Sequence, residues 1–126
     1  MTKETAKKDY SVELLNAIVK GILEKKGEEI ISINLARIQS TVCDFFVICH
    51  GNSGTHAAAI AESIEEEVRK LCGVKPEHRE GYVNGEWLLL DYMDVVVHVF
   101  QEPVRRYYGL EELWADVPSE RLDGAV

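Results

Sequence analysis

A chain of 126 residues is one domain by the usual length prior and can bury a core without disulfide or metal staples. Apolar residues make up 46% and charged residues 29%, with no apolar run near the roughly 18 residues of a membrane span. The 14 basic and 22 acidic residues give a net charge of −8, which disfavours a phosphate backbone as partner and leans toward a basic protein.

The first nine residues are too polar for a signal peptide and read as a flexible tail. That places the protein in the cytoplasm, or in an organelle after loss of a presequence. Cys43, Cys49 and Cys72 are odd in number and lack a Cys-x-x-Cys spacing, so buried thiols are expected rather than a metal site. Asp9 or Ser11 can cap a helix over Val12–Lys26. Val12, Leu15, Ile18, Val19, Ile22 and Leu23 then share one apolar face, and Gly27 ends the helix. Glu28–Leu35 reads as a first strand. Cys43–Cys49 reads as a second, apolar enough to be buried on both faces, with Asp44 at its end bonding backbone N–H groups.

His50–Gly54 is a strand-to-helix turn. Ser53 or Thr55 caps a helix over His56–Cys72 whose buried stripe is Ala57, Ile60, Ala61, Ile64, Val68 and Leu71. Gly73 and Pro76 terminate it. Gly81-Tyr82-Val83 suggests a short strand, and Asn84-Gly85 a tight turn. Trp87–Leu90 and Val95–Phe100, separated by four residues, must form an antiparallel hairpin; their continuous apolar character predicts a central position with both faces covered. Pro103 starts a last helix, Gly109 breaks it, and Leu110–Trp114 forms a further turn. Residues 10–116 are thus expected to form one α/β (α+β) domain, a mixed central sheet flanked by helices, with a polar tail over 117–126.

The Gly51–Thr55 loop invites a test for phosphate chemistry. It has neither the Gly-Lys-Ser/Thr of a P-loop nor Gly-x-Gly-x-x-Gly, and it misses a nucleophile elbow by one residue. A nucleotidyltransferase would follow Gly-Ser with two carboxylates at i, i+2 on the next strand to hold Mg²⁺. Asp91 and Asp94 are three apart and lie in a turn, so that pair is missing. His98, alone on the last strand, reads as a hydrogen-bonded sheet residue rather than a catalyst. Trp87 and Tyr92 are core residues by default, yet aromatics of this kind also anchor interfaces, and a tip carrying Tyr92 and Met93 is more apolar than a solvent turn requires.

Three pieces together carry a resemblance. They are Asp44-Phe45-Phe46-Val47-Ile48 followed by Gly51-x-Ser53; Glu80-Gly81-x-x-x-Gly85-x-Trp87-x-Leu89-Leu90-Asp91-Tyr92; and Asp94-Val95-Val96-Val97-His98-Val99-Phe100 leading to Arg106-x-Tyr108-x-Leu110-Glu111-x-Leu113-Trp114. From about Tyr10 to Trp114 the chain resembles the Iojap-like ribosomal silencing factors. The resemblance implies a nucleotidyltransferase-like fold without the catalytic carboxylates, no enzymatic activity and no cofactor. It implies binding to the fourteenth protein of the large ribosomal subunit, which blocks joining of the small subunit and represses translation when nutrients are scarce. Homodimers are common in that family. Trp87 and Tyr92 are the implied contacts, with the tip residues Asp91, Met93 and Asp94 in the same candidate partner-binding set. Met93 departs from the family, which usually has Gly there; if the position needs φ > 0, Met costs on the order of 1 kcal/mol. The alternative functions are a magnesium-dependent nucleotidyltransferase-like enzyme, which needs the missing carboxylate pair, and a bare dimerisation module without ribosomal binding.

Overall fold

Val95–Gln101 (β5) is the strand around which the sheet is arranged. The computed structural model describes residues 3–36, 43–81 and 84–122, and the architecture below refers to these. Helix α1 (Lys3–Glu24) leads to β1 (Glu28–Asn34) and β2 (Phe45–Gly51); α2 (Gly54–Cys72) follows. Then come β3 (His78–Glu80), β4 (Trp87–Asp91), β5, α3 (Glu102–Tyr108), α4 (Leu110–Leu113) and β6 (Ser119–Arg121). The strand order is β3-β4-β5-β2-β1-β6. β5 pairs parallel with β2 over Phe45↔Val95 to Gly51↔Gln101, and the other pairings are antiparallel, so the sheet is mixed. The connection between the two parallel strands runs through α2 and then β3 and β4, as a parallel pair requires a long crossover.

The apolar run of β5 is explained by its position: Val95 to Phe100 are all buried, three on each face. β4 departs from the expectation of two covered faces. Leu88 and Leu90 are fully buried beneath the helices, whereas Trp87, Leu89 and Asp91 on the alternate face are only half-buried. One face of the sheet holds Ile30, Val47, Cys49, Leu88, Leu90, Tyr92, Val95, Val97 and Val99 against Leu14, Ala17, Ile18 and Ile22 of α1 and Ala57, Ile60, Ala61, Ile64 and Val68 of α2. The other face holds Ile33, Leu35, Cys43, Ile48, Val96 and Phe100, covered in part by Val104, Leu110, Trp114 and Val117.

Several expectations are corrected at the helices. α1 begins at Lys3, well before the capping signal at Asp9 or Ser11, so part of the expected tail is helical. Its buried face is turned toward α2, leaving Val12 and Leu23 exposed; Leu71 of α2 is exposed too. Close approach of the two helices selects that face. A Cβ at Gly21 would lie 2.6 Å from the Ile64 Cα, so only glycine permits this crossing. Ser53 caps α2 by accepting from the His56 N–H at 3.0 Å, and Gly73 ends the helix at φ 69°. The short strand ahead of the hairpin is His78–Glu80, upstream of the expected Gly81–Val83; Tyr82 and Val83 lie outside the described residues. The polar C-terminal stretch contains β6, which pairs Ser119↔Ile33 to Arg121↔Ile31. Ser-Glu-Arg carries no apolar alternation, so only backbone pairing at the sheet edge defines it.

A candidate protein-docking face

The half-open sheet face gathers a band of aromatic side chains. Strand register places them. Trp87 pairs with Phe100, Leu89 with His98, and in the parallel ladder Phe46 pairs with Val96 and Ile48 with His98, so all share one surface. The Trp87 ring lies 4.8 Å from Phe100 and 4.9 Å from Tyr108 of α3. Phe46 contacts His98 edge-on at 4.8 Å and Trp114 at 5.8 Å. Leu113, Tyr107 and Tyr108 are exposed on the adjoining α3–α4 segment, and Met93 is exposed at the opposite, hairpin-tip end of the sheet. An apolar aromatic centre of this kind, half-covered by protein, has the composition of an interface core.

His98 is the polar residue within this band. It is 5% exposed, and its Nδ1 accepts from the Trp87 indole N–H at 3.1 Å. Burial pushes its pKa down to about 4, so it is neutral at physiological pH. Its other nitrogen, Nε2, has no hydrogen-bond partner among the described residues.

The candidate partner-binding residues are distributed unevenly. Trp87 lies half-buried on the open face. Asp91 turns inward to the tip: its Oδ1 accepts from the Met93 N–H at 2.8 Å. Asp94 is half-buried, and its carbonyl accepts from the Asp44 and Phe45 N–H groups, tying the tip to the start of β2. Met93 has φ 72°, and the Asp94 N–H donates to the Tyr92 carbonyl across it, so the position does favour glycine. Tyr92 is only 5% exposed and packs on the helix side, because strand alternation after Leu88 and Leu90 carries it there. The expectation that Tyr92 is exposed at the tip is corrected accordingly; burial also raises its phenol pKa.

The aromatic band is pinned by a charged cluster at the far end of β2. Arg105 of α3 is 1% exposed. Its Nε donates to Glu111 Oε1 at 2.5 Å and its Nη1 to His50 Nδ1 at 2.9 Å. His50 in turn lies 3.3 Å from Glu28 and 3.5 Å from Glu102. Burial, with Arg105 adding to it, lowers the His50 pKa. Arg106 reaches Glu29 at 2.6 Å across the same corner. Together these bonds hold α3 and α4 over one end of the open face.

The Gly51–Thr55 loop is occupied by structural bonding. His56 Nδ1 accepts from the Asn52 N–H at 2.9 Å while its Nε2 meets the Lys25 carbonyl at 2.6 Å. The Asp91–Asp94 tip is at the start of β2 and this loop at its end, about 20 Å away for a strand of this length. These carboxylates cannot share a metal with that loop. Among the described residues no group of three His, Cys, Asp or Glu side chains is disposed to hold a metal ion. Cys43 and Cys49 are buried thiols, their pKa values pushed up to about 11 and about 12 by burial. Among the described residues no helix is long and apolar enough to cross a membrane.

Reasoning from sequence missed His98 as Trp87's partner. The register Trp87↔Phe100 and Leu89↔His98 makes it the diagonal neighbour of Trp87, two residues from the direct partner, a relation visible only once the hairpin pairing is known.

Comparison with known proteins agrees with this architecture. The family model described as ribosomal silencing factor during starvation matches residues 8–126. The ribosomal silencing factor RsfS of Halalkalibacterium halodurans is 42% identical over 114 residues, covering 90% of this chain and 96% of that protein. The protein of the same name in Bacillus subtilis is 42% identical over 100 residues, covering 79% of this chain and 83% of the relative. A crystal structure of a Chromobacterium violaceum protein, CV0518, superposes with a TM-score of 0.77 at 30% identity, over 90% of this chain and 93% of that one. With the whole domain matched in sequence and in fold, the chain belongs to the ribosomal silencing factor family.

Proposed function

We propose that this protein binds the large ribosomal subunit through the subunit's fourteenth protein, using the open aromatic sheet face centred on Trp87. Seated there, it keeps the small subunit away and represses translation under nutrient limitation. The carrying observation is the half-covered band itself: Trp87 and Leu89 half-buried on a sheet whose other face is closed by α1 and α2. A fold that covers one sheet face and leaves aromatics on the other is suited to docking. The net charge of −8 supports a basic protein partner while repelling neighbouring RNA.

The action is steric and non-enzymatic, in the cytoplasm, without a cofactor. Separation of the Asp91–Asp94 carboxylates from the Gly51–Thr55 loop supports this over magnesium-dependent nucleotidyl transfer. A homodimer belongs to the same proposal, and sedimentation equilibrium at micromolar concentration is expected to show twice the chain mass. Co-sedimentation with purified large subunits tests the reading. Binding that persists with an intact fold after Trp87→Ala would remove the assigned face. Calorimetric magnesium-dependent nucleotide binding would instead favour the enzyme.

A further inference from the structure

Trp87 is useful to a partner only if its indole is held in one orientation, and the structure contains a device that does this. The indole N–H donates to His98 Nδ1 at 3.1 Å. An indole has no acceptor, so the bond requires Nδ1 to be unprotonated and places the ring proton on Nε2. That Nε2–H has no partner among the described residues, although His98 is 5% exposed and sits in the middle of β5. Every neighbour in Val95–Phe100 is apolar. Leucine or valine would satisfy the strand without leaving a buried donor unpaired, so sheet packing alone does not account for a histidine. Its ring is also fixed from both sides, edge-on to Phe46 at 4.8 Å and stacked with Phe100 at 6.4 Å.

We infer that His98 is a positioning residue for protein docking: its Nδ1 is the acceptor that sets the Trp87 indole on the open sheet face. The inference rests on the docking reading above and adds to it a second, buried residue that governs the contact. The partner it fits is a protein surface that takes a pre-oriented indole into a pocket, since immobilising a large side chain before binding lowers the cost of association. Asparagine at position 98 would preserve an acceptor near the Nδ1 position, whereas leucine would remove it.

The experiment combines a spectroscopic and a binding readout on the full chain. The two indole ¹H–¹⁵N signals are assigned with Trp114→Phe. His98→Leu is expected to shift the Trp87 indole proton upfield and to lower large-subunit affinity about tenfold, the worth of one hydrogen bond. His98→Asn is expected to restore both in large part. In a Trp87→Phe background, which deletes the N–H and keeps an aromatic ring, His98→Asn and His98→Leu should bind alike. A folded His98→Leu protein with an unmoved Trp87 signal or undiminished affinity overturns the inference. If His98→Leu does not fold, His98→Phe, which keeps a ring and lacks the acceptor, takes its place and is read by the same two outcomes. Wild-type protein that ignores large subunits refutes the docking reading separately, and the indole shift then decides the positioning claim alone.

Discussion

Trp87 lies at the boundary between core and surface, in contact with Phe100 and Tyr108 yet only half-covered. Truncating such an aromatic anchor typically costs 2 kcal/mol or more of binding. Trp87→Ala should therefore weaken large-subunit binding at least about thirtyfold, read by quantitative co-sedimentation, while circular dichroism shows a retained fold. Tyr92 makes a contrast. Its hydroxyl is buried without a partner among the described residues, so Tyr92→Phe should leave binding unchanged and stability equal or up to about 1 kcal/mol higher in urea unfolding. Met93 at φ 72° stores left-handed strain, and Met93→Gly should relieve on the order of 1 kcal/mol, partly offset by the freedom glycine gains on unfolding. A destabilised Met93→Gly protein would mean that the thioether packs more than its 59% exposure suggests.

At the scale of elements, Arg105 ties α3 to α4 through Glu111 and holds the pair on the sheet through His50 of β2 and the Glu28 carbonyl of β1. Removing the buried guanidinium takes a partner from the buried His50 and from Glu111 and leaves a void where Arg105 packed. Arg105→Ala should cost about 3 kcal/mol by chemical denaturation and raise hydrogen exchange across Glu102–Leu113. Unchanged exchange there would mean that the aromatic contacts suffice to hold the segment. This cluster was illegible in the sequence, since His50, Glu28 and Arg105 are brought together only by β1–β2 pairing and the return of β5 beside β2. By contrast, the hairpin, the Ser53 cap and the Gly73 and Gly109 terminators were legible, because each depends on local spacing or on a backbone conformation that glycine supplies. The edge strand β6 and the true face of α1 were not, because neither is set by its own residue pattern. The place of Trp87 at the start of a hairpin strand was readable; the sidedness of β4, which hides Tyr92 and sets Trp87 beside His98, needed the register.

For the whole molecule, the buried imidazoles give a pH dependence with a definite sign. His98 has its pKa lowered to about 4, and His50 is lowered too, so the unfolded chain binds protons first. Stability is then fully present above the ordinary histidine value of about 6.5 and is lost as pH falls toward 4. Glu29, lowered by its bond to Arg106, adds a loss in the same direction at lower pH. Urea midpoints should fall steadily from pH 7 to pH 4, and His98→Asn should flatten that slope. A sheet closed on one face by two helices and only half-covered on the other, with carboxylates and the Gly51–Thr55 loop at opposite ends, fits blockade by contact better than group transfer. The central claim is that the open face docks on the large subunit. Its most direct measurement is co-sedimentation of wild type and Trp87→Ala with free large subunits, with small subunits then added. The account predicts that wild type pellets with large subunits and holds back joined ribosomes, while folded Trp87→Ala stays in the supernatant and lets them form. Equal pelleting and equal blockade by both proteins would contradict it.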